Sequence, residues 1–109
     1  MIQVTVFRNR NEKYIGFDCK GHAGYANYGE DVICAGVSAL VINTVNAISR
    51  YTQEEFSADT DEETGKVFLQ FLHPAGHDAE LLVNSLVLGL QGIRDAYGAE
   101  YITLNFKEV

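Results

Sequence analysis

Basic residues are scarce in this sequence: 8 lysines and arginines stand against 15 aspartates and glutamates, a net charge of −7. A surface of that sign repels phosphate backbones, which speaks against direct nucleic-acid binding and favours a basic partner or substrate. The same charge also serves simply to keep a small domain in solution. Proline occurs once, at Pro74, and there are no repeats or low-complexity tracts. Cysteine occurs only as Cys19 and Cys34, and no charged-then-apolar leader precedes a cleavage site. The expectation is therefore a cytoplasmic protein whose two thiols stay reduced. No apolar run is read as approaching the ~20 residues that span a bilayer, so no membrane association is expected. Walker loops, dinucleotide fingerprints and G-x-S-x-G elbows are also missing, which removes the common nucleotide-binding and serine-hydrolase signatures. What remains is 109 residues, 47% apolar and 21% charged, enough for one domain over 1–109. About two thirds of the unfolded chain's surface can be buried at that size without disulfides.

Hydrophobic periodicity divides the chain into elements. Ile2, Val4 and Val6 alternate with Gln3 and Thr5, the signature of a half-buried strand. Beyond the polar turn Asn9–Glu12, a second strand is expected to carry Ile15, Phe17 and Cys19 on one face. Tyr14, Gly16, Asp18 and Lys20 would lie on the other. From Gly21 to Ile33 three glycines and two tyrosines break every pattern and predict a mobile loop. Val37, Leu40, Val41, Val45 and Ile48 then recur at helical spacing to about Arg50, with Asp31 placed to cap the helix. Phe56 to Asp59 and Val67 to Leu72 read as a strand pair around the acidic turn Asp61–Gly65. Leu82, Leu86, Gly89, Ile93 and Tyr97 give a second helix stopped by Gly98, and Tyr101 to Phe106 a final strand. The order β-β-α-β-β-α-β predicts an α+β (α/β) two-layer sandwich, both helices packed on one face of a mixed sheet.

Cys34 falls in the first turn of the first helix, where backbone amides and the helix dipole stabilise an anion and lower a thiol's pKa. A small buried cysteine packing the helix start fits the same pattern. Asp31, three residues earlier, works against the thiolate, and a cationic histidine would have to offset it. His22 is the candidate, at the end of the second strand where the loop toward Cys34 begins. A solvent-exposed loop histidine is the plain alternative. Taken together, a Cys–His pair has a defined use in nucleophilic catalysis. Cys19 shares a face with Ile15 and Phe17 and reads as core. A zinc site from Cys19, His22 and Cys34 lacks a fourth ligand and the paired C-x₂-C spacing, so no cofactor is expected. His73 and His77 would share a helix face, but Pro74 and Gly76 lie between them. Tyr25 and Tyr28 are placed to line a peptide groove.

Gly21-His22-Ala23 and Asp31-Val32-Ile33-Cys34-Ala35-Gly36-Val37-Ser38, at this separation and in a chain of this size, resemble the two signature motifs of the Prp family of bacterial ribosomal-processing cysteine proteases. The resemblance implies that residues 1–109 form one cysteine-protease domain, a homodimer with a flexible loop over its site. It implies a substrate, large-subunit ribosomal protein L-twenty-seven, made with an N-terminal extension that the enzyme removes. Matched to the motifs, His22 carries over as base and Cys34 as nucleophile, with Asp31 and Ser38 at motif positions in supporting roles. The amides of Cys34 and Ala35 are then expected to bind the oxyanion, and Gly21, Tyr25 and Tyr28 to contribute the substrate loop. The rival from another class is a non-catalytic acidic adaptor for a basic ribosomal protein. A thiol redox sensor is the third reading, for which Cys19 is a poorly placed resolving cysteine.

Overall fold

The computed structural model describes residues 1–27, 31–61 and 63–109. In chain order the elements are β1 (Ile2–Arg8), β2 (Tyr14–Lys20), α1 (Val32–Tyr51), β3 (Phe56–Asp61), β4 (Lys66–Phe71), α2 (His77–Tyr97) and β5 (Ile102–Glu108). The strands form one five-stranded sheet in the order β3-β4-β2-β1-β5. All neighbours are antiparallel except β5, which returns parallel to β1 after α2. This is the α+β fold and element order that the periodicity predicts.

Alternation decides which face of the sheet is covered. Ile2, Val4 and Val6 of β1, Phe17 and Cys19 of β2, Val67 and Leu69 of β4 and Ile102 of β5 are buried. They meet Ile33, Val37, Val41 and Ile48 of α1 and Val83, Leu86 and Leu90 of α2 in one continuous core. The helices pack closely because position 89 is glycine: a Cβ there would stand 2.9 Å from Leu40 Cδ1 on α1.

Several boundaries and one strand face differ from the sequence expectation, among them the end of β5, which runs to Glu108 rather than Phe106. Arg8 pairs with Tyr14 while Phe7 pairs with Gly16, so the register skips Ile15. One extra residue in a strand exchanges the faces beyond it. Tyr14 is accordingly buried, its hydroxyl donating to Asn84 Oδ1 of α2 at 2.5 Å, and Ile15 is only half-buried. α2 begins at His77 rather than near Leu82, with Asp78 and Glu80 favouring its N-terminal turn. β3 extends two residues further, to Asp61. Finally, α1 is long and apolar enough, by length and composition alone, to cross a membrane, which the sequence reading did not anticipate. Its stripe Ile33, Val37, Val41, Thr44 and Ile48 is buried in the core, while Val32 and Ile42 of the same helix are exposed.

Candidate active site

The site forms where β2 ends and α1 begins. β2 stops at Lys20, and Gly21 turns the chain with φ of +91°. A side chain is excluded there twice over, by that backbone angle and because a Cβ would run into the Met1 carbonyl oxygen. Ala23, two residues on, is buried in the core and so pins the start of the loop. Its backbone N–H donates to Cys34 Sγ at 3.1 Å.

Asp31 closes the loop onto the helix. Its backbone is extended, and its Oδ1 accepts from the N–H groups of Ile33 and Cys34, both at 3.0 Å. Its Oδ2 accepts from the Tyr25 N–H, also at 3.0 Å. The residue is only 8% exposed. Burial works to raise its pKa, but the hydrogen bonds it receives from Cys34, Tyr25 and Ile33 outweigh that cost and leave the carboxyl below its ordinary value. Asp31 is thus an ionised N-cap.

That carboxylate adds to the effect of burial on Cys34. Burial pushes the thiol pKa up, the Ala23 N–H pulls it down, and Asp31 pushes it up again by hydrogen bond and by charge. The net direction is upward, the reverse of what a helix N-terminus alone would give. The expected oxyanion donors are also engaged: the Cys34 N–H bonds Asp31 Oδ1, and the Ala35 N–H bonds the Asp31 carbonyl at 3.0 Å. The reason is the same cap, which satisfies the free amides of the first turn.

His22 and Cys34 line one cavity of about 610 Å³, together with Gly21, Asp31, Ala35 and Ser38. His22 is exposed, and among the described residues no hydrogen bond joins it to Cys34 or to Asp31. Its ring lies instead against the turn between β3 and β4: a Cβ on Gly65 would stand 3.2 Å from His22 Cε1. Tyr25 is not part of the cavity wall. Its ring packs edge-on against Tyr97 and Tyr101, with centroids 5.7 and 5.2 Å away. Tyr28 lies outside the described residues. The opposite wall is formed by Asp61 and Gly65 of the acidic turn Asp61–Gly65 and by Thr60 and Lys66 flanking it. Nothing local to those residues signals that the hairpin folds back onto His22. Cys19, 5% exposed, reaches the cavity floor, and burial with the nearby Asp18 raises its thiol pKa to about 11.

A family model described as cysteine protease Prp matches residues 1–103. The ribosomal processing cysteine protease Prp of Bacillus subtilis (strain 168) is 35% identical over 101 residues, covering 89% of this chain and 90% of that protein. The protein of the same name from Staphylococcus aureus is 33% identical over 107 residues, 98% of this chain and 100% of its own. A crystal structure of the S. aureus protease with a covalently linked product peptide superposes with a TM-score of 0.91, at 33% identity over 98% of this chain and all of that one. A second, with a substrate peptide, gives a TM-score of 0.86 at 32% identity and the same coverage.

Proposed function

The chain belongs to the Prp family of cysteine proteases, and from that premise we propose that it removes the N-terminal extension of a large-subunit ribosomal protein, L-twenty-seven, with Cys34 as nucleophile and His22 as base. The observation that carries this reading is the shared cavity: a half-buried thiol in the first turn of α1 and an exposed imidazole open onto the same space. The S. aureus relative is described in complex with a substrate peptide and with a covalently linked product peptide. Attack by a thiolate on a peptide carbonyl followed by acyl transfer to water is the chemistry such a pair performs.

In the free protein the thiol is held protonated, chiefly by burial and by the Asp31 carboxylate. Catalysis therefore needs His22 to swing from the Gly65 turn to within hydrogen-bonding reach of Sγ and take its proton. The imidazolium so formed offsets the Asp31 charge, and the Ala23 N–H stabilises the thiolate. Attack moves negative charge onto the scissile carbonyl oxygen. The Cys34 N–H becomes a donor to that oxygen once Asp31 Oδ1 releases it. His22 then gives its proton to the leaving amine and activates the water that hydrolyses the thioester. Asp31 positions the helix turn rather than the imidazole, since its oxygens already serve three backbone amides. Ser38 and Ala35 shape the wall beside Cys34. We place the reaction in the cytoplasm and assign it to a homodimer, in keeping with two free thiols and with the motif resemblance.

The test is to incubate the purified protein with the N-terminally extended ribosomal protein and read intact masses. One cut that releases the extension is expected. Cys34→Ser and His22→Ala should each slow it by roughly a thousandfold or more while leaving the fold intact. Processing by the Cys34→Ser protein would overturn Cys34 as the nucleophile, and binding of the extended protein without any cut by the wild type would favour the adaptor reading.

A further inference from the structure

Beyond the cavity, the sheet offers an unpaired edge at the same site. β3 is an outer strand, and Ser57 through Asp61 are all exposed. Its register with β4 fixes which backbone groups are free. The Leu72 N–H donates to the Glu55 carbonyl, making those two a hydrogen-bonded pair. In an antiparallel ladder such pairs alternate, so Ser57, Asp59 and Asp61 bond to β4 while Ala58 and Thr60 turn their N–H and C=O groups outward. Among the described residues none reaches them. Thr60 also lines the cavity that holds His22 and Cys34. Side chains on this strand add a sign: Asp59 and Asp61 project from one face of it, and Glu63 follows in the turn.

Resting on the protease reading above, we propose that the free edge of β3 is the docking strand for the substrate: an extended, lysine- or arginine-bearing segment adds there as a sixth strand and delivers its scissile bond to Cys34. A main-chain ladder through Ala58 and Thr60 holds the peptide extended, which is the form a thiolate attacks. Asp59 and Asp61 select basic side chains, the composition expected of a ribosomal protein segment. A second copy of this chain fits the same edge poorly, because two paired β3 strands would set Asp59 and Asp61 against their own counterparts. The other sheet edge, β5, contributes no residue to the cavity and carries Lys107.

Two substitutions outside the catalytic cavity test this. Ala58→Pro removes the outward N–H at a position where an edge strand tolerates proline, and Asp59→Lys reverses the charge without touching the backbone. Cleavage is measured on a long peptide carrying the basic segment and on a short one confined to the scissile bond. Each variant should raise KM for the long peptide about tenfold, as expected for losing one or two peptide hydrogen bonds or an ion pair, with kcat unchanged. The short peptide should be unaffected, and the Asp59→Lys effect should shrink in high salt. Hydrogen exchange on the Cys34→Ser protein provides a reading independent of turnover: the long peptide should slow the amides of Ala58 and Thr60. Unchanged exchange at those amides, or long-peptide KM within twofold of wild type in both variants of an active enzyme, overturns the docking strand and leaves the protease reading standing. Loss of self-association in Ala58→Pro with KM unchanged overturns it in favour of a second copy. Should Ala58→Pro fail to fold, Asp59→Lys and the exchange measurement decide. An inactive wild type whose β3 amides are nonetheless protected by the peptide rejects the cleavage reaction and retains the docking strand.

Discussion

Asp31 serves two ends that pull against each other. As an N-cap it ties the loop to the helix through three backbone amides, and, secondary to burial, its hydrogen bond and charge push the neighbouring thiol's pKa up. Asp31→Asn retains an oxygen for the cap and removes the charge, so the Cys34 pKa should fall. Its alkylation by iodoacetamide near neutral pH should then quicken several-fold over wild type, with the rate–pH curve displaced to lower pH. Asp31→Ala removes the cap as well and should cost about 1 kcal/mol in urea unfolding. Cys19 makes the complementary case. Its folded pKa of about 11 lies above that of an unfolded thiol, so the native state binds more protons once the unfolded thiol ionises. Its contribution is complete below pH ~9 and is lost as pH rises through 11, roughly 3 kcal/mol in all. Cys19→Ala should flatten that part of the stability–pH profile in urea melts at pH 8 to 11. The cap and the helical position of Cys34 were legible in the spacing of Asp31 and the apolar stripe. The upward shift was not, because it depends on how deeply both groups are buried and on where the Ala23 N–H points.

Helical and strand periods were readable wherever one face meets the core: α1 follows its Val37, Val41, Ile48 stripe, and β1 its alternation. They failed where a local insertion shifts the phase. Ile15, skipped in the pairing of β1 with β2, reverses the face of Tyr14 and itself, and no residue type nearby announces a bulge. The start of α2 lies ahead of the apolar stripe that begins at Leu82, because its first turn is polar and acidic. Gly16 shows how tightly the strands then fit: a Cβ there would collide with the Leu69 carbonyl oxygen of β4. Gly16→Ala should therefore shift the β2–β4 ladder and destabilise the protein by about 1–3 kcal/mol, read as a lower urea midpoint with unchanged slope. Tyr25, expected over the substrate, instead anchors the loop at the junction of α2 and β5 through Tyr97 and Tyr101. A contact between residues some seventy positions apart leaves no trace in local sequence.

With both helices on one face of the sheet, the site can only be assembled at the sheet's end, where β2 runs out, α1 starts and the β3–β4 turn folds over. The order of elements was legible from the sequence, but not that this turn closes the cavity, since fold order says nothing about how far a hairpin leans. That lean has a consequence for which changes in length the chain can absorb. Hairpin tips are ordinarily the places where a protein accepts extra residues without complaint. Here Gly65, at φ +69°, brings the turn so close that a methyl group on it would stand 2.9 Å from the Gly21 carbonyl oxygen and 3.2 Å from the His22 ring. Two glycines inserted between Glu63 and Thr64 should leave the melting temperature nearly unchanged while processing falls at least about tenfold, because the cavity wall formed by Asp61, Gly65 and Lys66 is displaced from its place opposite Cys34. The tip of this hairpin is thus measured against the imidazole, and its length is as much a part of the enzyme as any side chain in the cavity.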